Sequence, residues 1–166
     1  MAPDRNPKRP LKKKTAVGIG EIGQSTRPSS NDPHEIVFFQ RHIADDYNES
    51  TPGQEFLNNI CPEKVRRTFR AVLIEVAKAP PKRFAGGGYW EAMHGDMSGW
   101  FEVRVDGPNR THYRLFCLID YDNPNESKPL LVVVTGLRKL FKSKFGESDY
   151  AKVRILGSEY KSRRLE

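Results

Sequence analysis

The chain has 166 residues, 37% of them hydrophobic, and a formal net charge of +7. That length supports one domain of ordinary size with at most a tail, and a pI of about 9.5 points to anionic partners. No stretch approaches the roughly 20 apolar residues of a membrane span, and "MAPDRNPKRPLKKK" has no apolar region behind its basic start, so neither a span nor a secretory signal is expected.

The charge is unevenly distributed. Residues 1–33 carry seven Lys/Arg against three Asp/Glu, residues 34–137 twelve against fourteen, and residues 138–166 nine against four. The basicity therefore lies in a leader and in a C-terminal segment. The two cysteines, Cys61 and Cys117, fall in apolar segments and read as reduced thiols of a cytosolic protein. In that setting the N-x-[ST] matches at Asn48, Asn109 and Asn125 are chance sequons in polar loops.

Residues 1–33 hold Pro3, Pro7, Pro10, Pro28 and Pro33 among basic, Ser and Gly residues, too few apolar groups to order themselves, and read as a flexible basic leader. "GIGEIG" at Gly18, Gly20 and Gly23 has the form of a dinucleotide-binding turn but lacks the strand before it and the helix after it. The cluster Lys12, Lys13 and Lys14 reads as a solvated tail that adds non-specific attraction to polyanions.

Order is expected from "EIVFFQRHI", whose Ile36, Val37, Phe38 and Phe39 suit an interior strand. Pro52 fits the start of a short helix through "GQEFLNNI". In "CPEKVRRTFRAVLIEVAKAPP", Val65, Phe69, Leu73 and Val76 or Ala77 form one helical stripe, Arg66, Arg67 and Arg70 lie off it, and the two prolines stop it. "AGGG" at Ala85–Gly88 reads as a flexible loop.

In "WFEVRVD", Phe101, Val103 and Val105 alternate with Trp100, Glu102, Arg104 and Asp106; in "YRLFCLID", Tyr113, Leu115, Cys117 and Ile119 alternate with Arg114, Phe116 and Leu118. Arg104 and Arg114 are thereby expected on one sheet face, left uncovered if the helices occupy the other. A third strand, "PLLVVVTG", follows, and then "LRKLFKSKFG", where Arg138, Lys139, Lys142 and Lys144 interleave with Leu137, Leu140, Phe141 and Phe145. This last run reads as an amphipathic connection whose cations pair phosphates and whose aromatics either stack bases or join the core. A final helix, "ESDYAKVRILGSEYKSRR", is expected to be interrupted at Gly157.

"MHGDMSGWFEVRV" and "HYRLFCLID", followed by a buried strand and "GLRKLFKSK", resemble the RelE/HigB toxin family of type II toxin–antitoxin modules over about residues 34–164. The resemblance implies an α/β (α+β) fold for residues 34–166: a small, mainly antiparallel sheet, two N-terminal helices on one face, and a C-terminal helix. It also implies ribosome-dependent mRNA cleavage, no cofactor, and neutralisation by a helix-turn-helix antitoxin. By position it matches Arg104, Arg114 and the pair Arg138 and Lys139, with His94 beside the glycine, which makes Arg104, Arg114, Lys139 and His94 the catalytic candidates; Arg138 and the further cations Lys82, Arg83, Arg110, Lys142 and Lys144 are the RNA-binding candidates. Two positions depart from the family pattern. Glu102 stands where Lys is frequent, and Tyr150 and Tyr160 both stand as candidates for the C-terminal catalytic residue.

Cleavage by the substrate's own 2′-OH needs a proton acceptor, cations around the phosphorus and a donor for the leaving 5′-oxygen, but no metal. His94, Glu102 and a Tyr are the candidates for proton transfer. His34, His42, His94 and His112 have no zinc-ligand spacing. The related ParE branch keeps the scaffold without the nuclease, so a non-enzymatic inhibitor or an inactive prophage nucleic-acid-binding relative is the alternative.

Overall fold

The computed structural model describes residues 28–79 and 88–164. The leader motifs, Lys82 and Arg83, and Ala85–Gly87 lie outside the described residues. The chain is a mixed α+β fold. Strands β1 (Glu35–Phe38), β2 (Trp90–Ala92), β3 (Trp100–Gly107), β4 (Thr111–Asp120) and β5 (Leu130–Leu140) form one sheet in the order β1-β5-β4-β3-β2, with only the β1–β5 pair parallel. Helices α1 (Pro52–Glu55), α2 (Glu63–Lys78) and α3 (Glu147–Arg163) complete it. α1 continues as a π-helical turn over Phe56–Ile60.

The α2 stripe is where the helical periodicity puts it: Val65, Phe69, Leu73, Val76 and Ala77 are all buried. With Phe56 and Leu57 they cover Val103, Val105, Tyr113, Leu115, Cys117, Leu131 and Val133 on one sheet face. Burial pushes the Cys61 thiol up to about 12 and raises that of Cys117 as well. Both thiols are free and inert at neutral pH.

Four sequence expectations need correction. The face carrying Arg104 and Arg114 is not left uncovered: α3 packs over part of it, setting Tyr150, Val153, Leu156 and Tyr160 against Phe39, Trp100, Phe116, Leu118, Val132 and Val134. Nor does Gly157 interrupt α3. A Cβ there would lie 2.3 Å from the Trp100 ring, so the glycine is what lets helix and sheet approach. β5 runs on through Leu140 rather than giving way to a connection after Gly136. Finally, residues 28–33 are tied down. Asp32 is buried and accepts a hydrogen bond from the Ser29 amide at 2.8 Å, while Lys128 donates to the Ser30 and Asp32 carbonyls at 3.1 Å.

The end of α3 is bolted to the sheet by polar contacts. Tyr160 donates its hydroxyl to Asp120 at 2.6 Å, Arg164 reaches the same carboxylate at 2.7 Å, Arg41 pairs with Glu159 at 2.8 Å, and Arg163 pairs with Asp45 at 3.0 Å. Burial raises the Tyr160 hydroxyl and the bond to Asp120 adds to it.

The Gly157 contact gives a prediction of unusual sign. Gly to Ala inside a helix ordinarily stabilises by up to about 1 kcal/mol. Here Gly157→Ala is expected to lower stability by about 1–3 kcal/mol, because the new methyl must displace the Trp100 ring. Urea denaturation checks it, and an unchanged or raised midpoint would refute the close packing.

Candidate functional site

The β3–β4 hairpin turns through Pro108, Asn109 and Arg110, the last two at φ 59° and 51°, and its register then decides which side chains meet. Asp106 lies opposite His112, Arg104 opposite Arg114, and Glu102 opposite Phe116. Directly paired residues share a face, so the two arginines are neighbours on the side away from α2. Across β4, Lys139 lies opposite His112 and joins them, whereas Arg138 lies opposite Tyr113. Arg138 therefore stands on the α2 face near Cys61, with the sheet between it and Arg114. Arg138 and Lys139 do not reach one site together, because adjacent residues of a strand point to opposite faces.

Arg114 is the centre of the group. Only 7% exposed, it donates from Nη1 to its neighbour's Tyr113 carbonyl at 2.9 Å, lies 3.5 Å from Asp106, and reaches His112 Nδ1 at 3.5 Å through Nη2. Its guanidinium also sits 5.8 Å from the centroid of the Phe145 ring, which Lys139 approaches at 5.7 Å. Burial lowers the Arg114 pKa and the charge of Arg104 lowers it further, against the pull of Glu102 and Asp106. A guanidinium still stays charged at such a site.

His112 and Asp106 form a dyad. The ring Nδ1 is 2.6 Å from the carboxylate, and the other face of the imidazole stacks on Phe141 with centroids 4.2 Å apart. Burial pushes the Asp106 carboxyl up, but the His112 hydrogen bond, its charge and that of Arg114 outweigh burial and hold it below its ordinary value. This pair was not singled out from the sequence, where His112 was weighed only as a zinc ligand and His94 was the histidine considered for proton transfer. The hairpin register would have found it, since counting back from the turn puts Asp106 opposite His112.

The cations are not bare. Arg104 pairs with Glu91 and lies 3.5 Å from Glu102, and Lys139 pairs with Asp149 at 2.6 Å while donating to the Lys144 carbonyl. Asp149 also accepts from the Gly146 amide at the start of α3, so Lys139 is anchored to that helix. Lys142, Lys144 and Arg110 are exposed around this rim, with Phe141 and Leu140 exposed beside them.

Glu102 and Tyr150 sit at the other end of the group. Burial pushes the Glu102 carboxyl above its ordinary value, Arg104 and Arg114 oppose that and Glu91 adds to it. Burial likewise raises the Tyr150 hydroxyl, helped by the charge of Glu102. Both residues line a separate cleft of about 310 Å³ with Glu91, His94, Asp96 and Glu147. His94 is exposed there, among carboxylates rather than beside the arginines, and its cleft shares Glu91 and Glu102 with the Arg104 group. Tyr160, the other tyrosine candidate, is committed to Asp120. Among the described residues no cluster of His, Cys, Asp or Glu could hold a metal ion, and no helix is long and apolar enough to cross a membrane.

The Glu102 shift has a pH consequence. A carboxyl whose folded pKa exceeds its unfolded value, about 4.3 for Glu, binds more protons folded than unfolded between the two, so its contribution to stability falls as pH rises through that window. Glu102→Gln removes this loss. The variant is expected to melt higher than the parent at pH 7.5 and level with it near pH 4; a lower melting temperature at pH 7.5 would show that the ion pair with Arg104 dominates.

No family model, curated protein or solved structure matches this chain.

Proposed function

We propose that the chain is a toxin of the RelE/HigB kind, an endoribonuclease that cleaves mRNA on the ribosome by metal-independent attack of the 2′-OH. The observation that carries this reading is the surrounding of Arg114. A nearly buried guanidinium lies beside a second arginine, a His–Asp dyad and an aromatic ring, at the centre of a sheet face. The finer, RelE-like fold is supported by the helix pair that follows the first strand, the antiparallel β2 to β5 run, and the C-terminal helix.

The roles follow from the chemistry each group can perform. His112, oriented by Asp106 at Nδ1, offers its other ring nitrogen to the 2′-OH proton. Arg114 and Arg104 stabilise the negative charge that builds on the non-bridging oxygens, an effect worth about 10²–10³ in rate per well-placed donor. Glu102, kept protonated more readily by burial, or Tyr150 beside it, supplies the proton to the leaving 5′-oxygen. Asp106 lies four positions along β3 from Glu102, about 13 Å of strand, and Arg104 and Arg114 lie between, where the phosphate fits. Lys139, Lys142, Lys144 and Arg110 attract the flanking backbone. His94 has no role in this scheme.

A second reading rests on the carboxylates. Glu91, Glu102, Asp106 and Asp149 already partner the three central cations, so an incoming phosphate must compete with them. That favours a non-enzymatic inhibitor on the same scaffold, of the ParE kind. Induced expression followed by primer extension on cellular mRNA separates the two. Growth arrest with new 5′ ends supports the nuclease; growth arrest with intact mRNA and inhibited supercoiling supports the alternative. In either case the partner is a neutralising protein encoded beside the gene, and co-expression is expected to relieve the arrest and yield a co-purifying complex.

A further inference from the structure

β3 is longer than its outer neighbour. β2 pairs only Trp90–Ala92 with Val103–Phe101, and one further bond, from the Arg104 amide to the Tyr89 carbonyl at 2.7 Å, ends the ladder. From Val105 to Gly107 the strand has no strand neighbour on that side among the described residues. Backbone groups of a strand alternate in direction, so Asp106, two residues beyond Arg104, directs its N–H and C=O to the same side as Arg104, away from β4. A cleft of about 1000 Å³ runs along this edge. Its lining takes Lys64, Val65 and Thr68 from α2 on one face of the sheet and Arg104, His112 and Arg114 from the other, with Tyr89 and Pro108 bordering it at the strand edge. Tyr89 is half-buried, with its hydroxyl raised by burial.

We propose that this cleft is a nucleobase subsite, in which the base adjoining the phosphate at Arg104 and Arg114 stacks on Tyr89. The inference rests on the nuclease reading above. Three features carry it beyond that reading. The cleft is continuous with the arginines, so a nucleotide whose phosphate lies there has its base within reach. Its size is at the upper end for a small-molecule site, about 300–1000 Å³, enough for a base and its sugar. And it combines an aromatic ring, which suits the face of a base, with an exposed lysine, which suits the charge of the nucleotide backbone. Tyr89 packs in part against the α2-side core and keeps the rest of its ring toward the cleft, whereas Phe141 is stacked on His112 and Phe145 lies against Arg114 and Lys139.

The test is the distribution of cleavage sites on ribosome-bound mRNA, read by sequencing the 5′ ends made by the full chain and its variants. The parent is expected to prefer certain bases beside the scissile bond. Tyr89→Leu, which keeps the apolar packing, should flatten that preference and weaken cleavage at favoured sites by roughly 10-fold or more, and Tyr89→Phe should restore it. Arg114→Gln should instead lower cleavage at all sites without changing the preference. Thr68→Arg fills the cleft from α2 and should mimic Tyr89→Leu if that variant does not fold. A parent that cleaves with a preference untouched by either cleft variant overturns the subsite and leaves the nuclease standing. A parent that cleaves no RNA overturns both.

Discussion

Arg114→Gln is expected to reduce mRNA cleavage by about 10²–10³. The side chain is the one cation of the group held almost entirely out of water, and it touches the dyad and Phe145 at once. Its burial raises the structural cost of replacing it above that of an exposed arginine, about 0.5 kcal/mol or less. Glutamine keeps a donor toward the Tyr113 carbonyl but leaves Asp106 without one partner, so a loss of about 1–2 kcal/mol is expected. The domain should stay folded, and chemical denaturation together with a cleavage assay on the same preparation separates the two effects. Arg104, 42% exposed at its side chain, can be removed at smaller structural cost. Arg104→Ala should also lower cleavage, and the double variant should lose less than the product of the two if both act on one phosphate. If Arg114→Gln unfolds the chain, or leaves cleavage intact, the arginine is part of the scaffold only.

His112→Ala is expected to lower cleavage by about 10²–10⁴, the range for a general base. Asp106→Asn should cost less, since it keeps the shape and loses only the charge that orients the imidazole and partners Arg114. The two substitutions act on one proton-transfer unit, so their effects should not multiply. A stability term accompanies Asp106. Its folded pKa lies below the ordinary aspartate value, about 3.9, so its contribution is present above that value and lost as pH falls through the lower folded one. Asp106→Asn should therefore lower the melting temperature at neutral pH and converge with the parent in acid. His94→Ala, by contrast, should leave cleavage within about twofold of the parent, because His94 is exposed among the carboxylates lining its cleft and takes no part in the scheme above. A large loss there with a silent His112→Ala would reverse the assignment.

The parts of the molecule that could be read from the sequence are those whose period is set by one buried face. The α2 stripe and the alternation in β3 and β4 have that property, and with them the meeting of Arg104 and Arg114. β2 was missed because three residues carry no period of their own; Trp90 is held by stacking on Phe101 rather than by alternation. The run from Leu137 to Leu140 looked like a connection because its cations mask a strand that is buried at one end and exposed at the other. Reading it as strand would have separated Arg138 from Lys139 at once. The covering of the second face by α3 depends on a glycine in one element meeting a tryptophan in another, Gly157 and Trp100, which no local pattern announces. The dyad was hidden for a different reason. Asp106 and His112 are six residues apart, and only the tight turn between them makes them partners.

The central claim is tested most directly by the chemistry of the cut ends. Purified protein is added to ribosomes programmed with a defined mRNA, with Mg²⁺ present and no transition metal, and the fragments are analysed by mass. Attack by the 2′-OH predicts a 2′,3′-cyclic phosphate, or the 3′-phosphate from its opening, on one fragment and a 5′-hydroxyl on the other, with no cut where the 2′-OH is replaced by hydrogen. Fragments bearing 3′-hydroxyl and 5′-phosphate ends, or an intact mRNA, would contradict it.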